Sequence, residues 1–206
     1  GLPAHAGWED AAVPPERIGS YLRDFQELTD SYGITGYPYG HFADGCIHIR
    51  LDVPLEVPGL FREFLFAAGR LVADYGGSMS GEHGDGRARS ELLPLMYSPA
   101  AIRLFGAVKS VFDPDNVLNP GVLVDPRPVD LDLRVPAARK VDVDLGFRYS
   151  DDGGNLTQAV HRCTGVGKCR ADTTAVGGVM CPSYQATREE KDSTRGRARA
   201  LQEMLN

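Results

Sequence analysis

The residues best suited to chemistry lie in Tyr39-Gly40-His41-Phe42-Ala43-Asp44-Gly45-Cys46-Ile47-His48-Ile49-Arg50, two short apolar runs joined by Asp-Gly with a histidine on each side. Asp-Gly between alternating residues is a strong hairpin signal, because both turn residues must take positive φ. With Asp44 and Gly45 as the turn, Ala43 pairs with Cys46, Phe42 with Ile47 and His41 with His48. Directly opposed residues hold their Cβ atoms roughly 4.5 to 5.5 Å apart, so two imidazoles there could share one cation. Arg50 follows His48 by two and points to the same face, next to Tyr39. The plainer alternatives are a hydrogen-bonded histidine pair, an ordinary strand-face charge at Arg50, and a small buried apolar residue at Cys46.

A second chemical stretch is Ser78-Met79-Ser80-Gly81-Glu82-His83-Gly84-Asp85-Gly86-Arg87, without period and with three glycines around Glu82-His83. Such glycines let backbone and side chains come close to a ligand. The third is Cys163-Thr-Gly-Val-Gly-Lys-Cys169 with Cys181-Pro182, similar to the bacterial ferredoxin run C-x2-C-x2-C-x3-C-P. Val166 stands where the second cysteine belongs, and the spacer before Cys181 is too long. A complete cluster therefore cannot be built from Cys163, Cys169 and Cys181 alone; His161 or a further cysteine would have to complete it. Free thiols, a zinc held by Cys163, Cys169 and His161, or an adventitious disulfide are the alternatives.

Around these stretches the pattern predicts their supports. Pro14-Pro15-Glu16 opens a helix through residue 32, with Ile18, Leu22, Phe25 and Leu28 on one side and Gly33 at its end. The hairpin's second strand is expected to run on to Val53, before Pro54 and Pro58. Phe61, Phe64, Leu65, Ala68, Leu71, Val72 and Tyr75 mark a second helix ended by Gly76-Gly77. A short helix over 88–96 and a longer one led by Ser98-Pro99, with Ile102, Phe105, Val108 and Phe112, follow. Asn116 to Gly121 is a turn segment, 123–147 an extended linker, and 194–205 a polar helix whose arginines form a solvated face. The expected fold is α+β, an antiparallel hairpin or sheet packed on helices over 1–122, followed past the linker by a small, mainly helical, cysteine-containing segment over 148–206.

Composition excludes several classes. With 42% hydrophobic and 24% charged residues the 206-residue chain is ordinary globular material, and a net charge of −6 argues against nucleic acid as the main partner. No apolar run approaches the roughly 18 residues of a membrane span, so a soluble cytoplasmic protein, or one peripheral to a membrane, is expected. Four cysteines, three of them clustered, suit metal or redox chemistry better than a disulfide scaffold. Both ends look cut, and a piece of a longer protein is expected.

Three motifs together carry a family resemblance: Gly40-His41-Phe42-Ala43-Asp44-Gly45-Cys46-Ile47-His48, Ser80-Gly81-Glu82-His83-Gly84-Asp85-Gly86, and Leu118-Asn119-Pro120-Gly121. In their order and spacing the chain, over roughly 10–125, resembles the C-terminal half of FAD-linked oxidases of the vanillyl-alcohol oxidase type. That group includes D-lactate, glycolate and D-2-hydroxyglutarate dehydrogenases. The remainder is similar to the start of a 4Fe-4S ferredoxin-type domain fused to the larger members. The resemblance implies a cap on an FAD-binding domain of the same polypeptide. It also implies a divalent metal (zinc, iron or manganese) on His41, His48 and Glu82, and His83 as the base that takes the substrate's hydroxyl proton as hydride passes to the flavin. Asn119 is implied to lie near the flavin ring. Arg50 replaces an asparagine that contacts substrate in several relatives, and an arginine there could clamp a dicarboxylate such as 2-hydroxyglutarate. The family often has Asn at position 46, and many relatives carry Lys where Val122 stands. The implied function is oxidation of a D-2-hydroxy acid to the 2-oxo acid, with electrons passing from FAD through iron–sulfur clusters to an acceptor. This chain by itself is expected to be inactive. A non-catalytic metal-binding module, its cysteines serving folding or assembly, is the alternative.

Overall fold

A computed structural model of the chain describes residues 5–133, 138, 141, 146–172, 175, 177 and 180–205. The chain divides into two compact units, Gly1–Leu131 and Asp132–Asn206. The first holds a three-stranded antiparallel sheet in the order β1-β3-β2, formed by β1 (His5–Ala12), β2 (Gly36–His41) and β3 (Cys46–Leu51). Helix α1 (Ile18–Ser31) joins β1 to β2, and α2 (Leu60–Asp74) follows β3. After these come a short α3 (Gly86–Arg89), a 3₁₀ segment over Ser90–Leu95, and α4 (Pro99–Phe112), whose N-cap Ser98 accepts from the Ala101 N–H. The α+β architecture is as expected.

Alternation on β3 divides the chemistry from the core. Ile47, Ile49 and Leu51 are buried with Trp8, Phe25, Phe64 and Val72, while Cys46, His48 and Arg50 point to the opposite face. Helix α1 buries Tyr21 and Phe25, and Ile18, Leu22 and Leu28 are only partly covered. The Tyr21 hydroxyl accepts from Trp8 Nε1 at 3.1 Å, which satisfies two buried polar groups inside the core. Strand β3 ends at Leu51, two residues before the expected end, although Val53 is still buried.

The hairpin register differs from the expected one. His41 pairs with Cys46, Tyr39 with His48 and Tyr37 with Arg50, so the direct His41–His48 pairing does not form. Phe42–Asp44 make a 3₁₀ turn closed by Gly45 at φ 76°, and the Val13 N–H donates to the Gly45 carbonyl at 3.0 Å. A side chain on Gly45 would meet that strand, with its Cβ 2.0 Å from the Val13 carbonyl oxygen. The bond to Val13 draws Gly45 into a wider turn than Asp-Gly alone would make. The slip is two residues, and the side-chain period is two, so both histidines stay on one face.

Two expectations for the remainder of this unit are modified. The stretch 123–131, assigned to the linker, belongs to the first unit: Val129 is buried in the core and its N–H donates to Glu91. Helix α4 has the expected length, yet none of its residues is buried, and Val108 and Phe112 are exposed. Most of the remaining linker, within 134–145, lies outside the described residues.

The Asp113 carboxylate at the end of α4 ties down the turn before Asn119. It receives Lys109 Nζ and the N–H groups of Val117 and Leu118, each of these last two at 2.9 Å. The Lys109 bond, followed by those two N–H groups and opposed by desolvation, holds its carboxyl below the ordinary 3.8. Its stabilising contribution is therefore complete above pH 3.8 and is lost as pH falls through the lowered value. Asp113→Asn should lower the melting temperature at pH 7, and the gap from wild type should close in acid. Thermal melts followed by fluorescence of Trp8, the sole tryptophan, would measure it.

In the second unit, described by itself, α5 (Leu156–His161) packs on α7 (Thr194–Leu205), and Gln202 donates to the carbonyls of Val160 and Cys163. Helix α6 (Pro182–Thr187) starts directly after Cys181.

Candidate metal and substrate site

Strand β1 supplies a part of the site for which the sequence gives little warning. Between the pairs Trp8↔Ile49 and Ala11↔Ile47, β1 advances three residues and β3 two, so Glu9 and Asp10 together oppose His48. This bulge turns the Glu9 carbonyl and the Asp10 carboxylate toward the face that carries His48. The 78–83 loop is laid along β1 by backbone bonds: Ala12 and Ser78 exchange N–H···O bonds of 2.8 Å, and the Gly81 N–H donates to the Asp10 carbonyl at 2.8 Å. Gly81 permits that approach, since a Cβ there would lie 2.9 Å from Cys46 Sγ and 3.0 Å from Ala12 Cβ.

The result brings together residues far apart in sequence. Glu82 Oε1 lies 3.0 Å from His48 Nε2, 3.5 Å from His83 Nε2 and 3.6 Å from His41 Nε2. The rings of His48 and His83 are parallel within 5°, their centroids 5.1 Å apart, and His41 stands edge-on to His48 at 5.8 Å. Metal-ligating atoms of Asp10, His48, Glu82 and His83 all lie within 4.8 Å of one another. His41 stands just outside that set, and Asp10 is the member the sequence reading missed. Its signal is faint, because the bulge breaks the strand alternation that would have drawn attention to β1.

Hydrogen bonding around His48 tests whether a cation fits. Nδ1 is bonded to the Glu9 carbonyl, and a carbonyl only accepts, so Nδ1 carries the hydrogen. In the neutral ring Nε2 is then a bare lone pair facing a carboxylate oxygen at 3.0 Å. Two lone pairs that close repel unless a proton or a metal ion lies between them. A backbone carbonyl on the far nitrogen is also one of the partners that orient metal-bound histidines. Imidazole nitrogens with a carboxylate suit zinc, iron or manganese. The residues present fit such an ion.

Asp10 is wholly buried at its side chain. Burial pushes its carboxyl up, but the N–H groups of His83 and Glu82, the charge of His83 and the Ser80 hydroxyl outweigh that and leave it below 3.8. Cys46 is buried against it, Sγ to Oδ1 3.7 Å, and burial followed by the carboxylates of Asp10 and Glu82 pushes the thiol up to about 11. It is a protonated, packed residue. Arg50 lies on the His48 face, half-exposed, 3.4 Å from Glu9 Oε1 and opposite Tyr37 instead of Tyr39. Asn119 sits in an exposed turn at φ 49°.

Among the described residues no cysteine joins a set of three metal-ligating atoms within 4.8 Å of one another. Cys163 and Cys169 are half-buried. Cys181 is buried, its Sγ accepting from Thr194 Oγ1, and that bond followed by the Ser183 hydroxyl pulls its thiol down to about 6. Three thiols are one fewer than the four that hold a 4Fe-4S cluster, so the described residues do not by themselves fit one.

With this geometry in view, comparison with known proteins identifies the class. The family described as FAD linked oxidases, C-terminal domain, matches residues 4–123, and the chain belongs to it. Over 96% of its length the chain is 38% identical to the D-2-hydroxyglutarate dehydrogenase of Pseudomonas putida and 32% identical to that of Escherichia coli, covering 20% and 19% of those proteins. A D-lactate dehydrogenase of Archaeoglobus fulgidus is 39% identical over 56% of this chain and 26% of that protein. The chain thus spans about a fifth of the length of the first two relatives. Among the described residues no helix is long and apolar enough to cross a membrane.

Proposed function

We propose that the chain forms the metal- and substrate-binding part of an FAD-linked dehydrogenase that oxidises a D-2-hydroxy acid to the 2-oxo acid. One observation carries the reading: in a chain of this family, a single carboxylate oxygen of Glu82 is ringed by the Nε2 atoms of His41, His48 and His83. His41, His48 and Glu82 would hold the divalent ion. When bound, that ion supplies a Lewis acid for the substrate's hydroxyl and carboxylate, and FAD supplies the hydride acceptor.

The chain's own residues do the remaining work. His83 takes the hydroxyl proton on Nε2, while its Nδ1 stays 3.8 Å from the Asp10 carboxylate, whose charge stabilises the imidazolium that forms. Arg50, half-exposed, has guanidinium nitrogens to offer a second carboxylate, which favours a dicarboxylic substrate. Asn119 offers a side-chain amide to the flavin from an exposed turn. The 96%-long likeness to two D-2-hydroxyglutarate dehydrogenases supports that substrate over D-lactate. In the whole protein FAD is bound mainly by another domain of the same polypeptide. Cys163, Cys169 and Cys181 would contribute to an iron–sulfur centre only with a further ligand from elsewhere in the whole protein, and such a centre would supply the route for electrons from FAD to an acceptor. Iron and acid-labile sulfide analysis of the anaerobically purified whole protein tests that outlet.

The reading is tested on the whole protein with D-2-hydroxyglutarate, D-lactate and glycolate and an artificial electron acceptor. Turnover is expected with the dicarboxylate foremost, and Arg50→Gln should raise its KM while changing that for D-lactate little. His83→Asn should remove turnover yet leave the metal bound; unchanged turnover would exclude His83 as the base. Metal binding without oxidation of any 2-hydroxy acid would leave a non-catalytic metal module as the better description.

A further inference from the structure

We propose that Asp10 is the positioning residue of this site: its buried carboxylate clamps the Glu82-His83 peptide so that Glu82 is held in place for the metal. The proposal rests on the metal reading above. Asp10 lies on the sheet, on the β1 bulge, whereas Glu82 and His83 lie in a loop with no helical or strand bonds of their own. Four groups converge on the carboxylate. The Glu82 N–H donates to both oxygens, at 3.1 and 3.2 Å, and the His83 N–H donates to Oδ2 at 2.8 Å. Ser80 Oγ donates to Oδ2 at 3.2 Å, and Cys46 Sγ to Oδ1 at 3.7 Å. Successive N–H groups aimed at one anion form a nest, and here the anion comes from the protein itself.

This arrangement separates positioning from ligation. Both oxygens of Asp10 are already engaged by donors, and the side chain has no exposure, while the Glu82 carboxylate is 43% exposed and faces the imidazole nitrogens. Asp10 therefore acts through Glu82. Loss of the clamp frees the Glu82-His83 peptide to rotate and spreads the carboxylate over many orientations, of which few meet His41 and His48 together. Removing an outer partner of a metal ligand typically weakens metal binding roughly 10- to 100-fold.

The test is titration of the chain with Co²⁺ as the probe, read by its visible d–d absorption, in wild type and Asp10→Asn. We expect one Co²⁺ bound by wild type, and affinity lower by about 10- to 100-fold in Asp10→Asn with the same band positions at saturation, because the ligands are unchanged. Asp113→Asn, which loosens a different part of the same unit, should leave the affinity as in wild type. Equal affinity in Asp10→Asn would overturn the proposal, as would an equal loss in Asp113→Asn, which would mark mere destabilisation. Altered bands at saturation would overturn it too, by making Asp10 a ligand. Absence of Co²⁺ binding in wild type would instead remove the metal reading and the proposal with it. Should Asp10→Asn fail to fold, amide exchange in wild type decides: slow exchange at Glu82 and His83 supports the clamp, and exchange at free-loop rates overturns it.

Discussion

Phe64→Ala is expected to remove about 3–5 kcal/mol of stability from the first unit. Phe64 is fully buried on α2 and meets Phe25 of α1 edge-on at 6.2 Å and Tyr32, just after α1, at 5.6 Å. It is thus the ring through which α2 and the α1 end of the core are packed. Truncation forfeits the transfer energy of the ring, leaves a cavity among groups held by both helices and the sheet, and loses two edge-to-face pairs. Against a typical total of about 5–15 kcal/mol this is a large fraction. The effect reaches the site, because α2 runs directly through Gly76 and Gly77 into the loop that carries Glu82 and His83. Urea unfolding followed by Trp8 fluorescence would measure it, since Trp8 is 2% exposed in the same core. A loss under about 1 kcal/mol would mean that the core repacks and that α2 is anchored elsewhere.

How far this arrangement was legible in the sequence depends on which forces set each part. The helices were readable because their apolar periodicity is local, and α2 buries Phe64, Leu65, Ala68 and Val72 much as the spacing predicts. The face shared by His41, His48 and Arg50 was readable for the same reason, because alternation survives a register slip of two. The register itself was not, since it depends on the bond from Val13 to Gly45, a tertiary contact that no turn rule contains. Asp10 was invisible for a related reason. Apolar residues at 8, 11 and 13 follow a bulged strand, and a period-two search rejects that spacing. The partner of Arg50 was lost with it, because Glu9 comes from the same strand. In α4 the stripe foretold the helix correctly but not its burial: apolar spacing states which face seeks cover, and within the first unit that face is covered only in part, with Ile102 and Phe105 half-buried, Phe105 against Tyr97, and Val108 and Phe112 exposed.

Glu82→Gln should abolish binding of a divalent ion by the chain and, in the whole protein, turnover as well. The substitution keeps the length and shape of the side chain and the Asp10 clamp on its backbone, so what it removes is charge. Of the residues gathered here, His41, His48 and His83 bring neutral nitrogens to a cation, and Asp10 is already occupied by N–H donors. Glu82 supplies the only negative charge with oxygens open to an ion, and an amide oxygen is a much poorer match for zinc, iron or manganese. The loss should therefore exceed the roughly 100-fold expected when an outer partner is removed, and should not be recovered by raising Co²⁺ concentration within a titration. The amide also brings N–H groups that can donate to His48 Nε2, which closes the space a cation would use. Folding should survive, because Glu82 is 43% exposed and outside the core. Retained Co²⁺ binding with wild-type bands would show that the histidines hold the ion without it. In that case the convergence of three imidazoles on Glu82 Oε1 would be a hydrogen-bonded cluster, and the proposal that it serves substrate oxidation would fail with it.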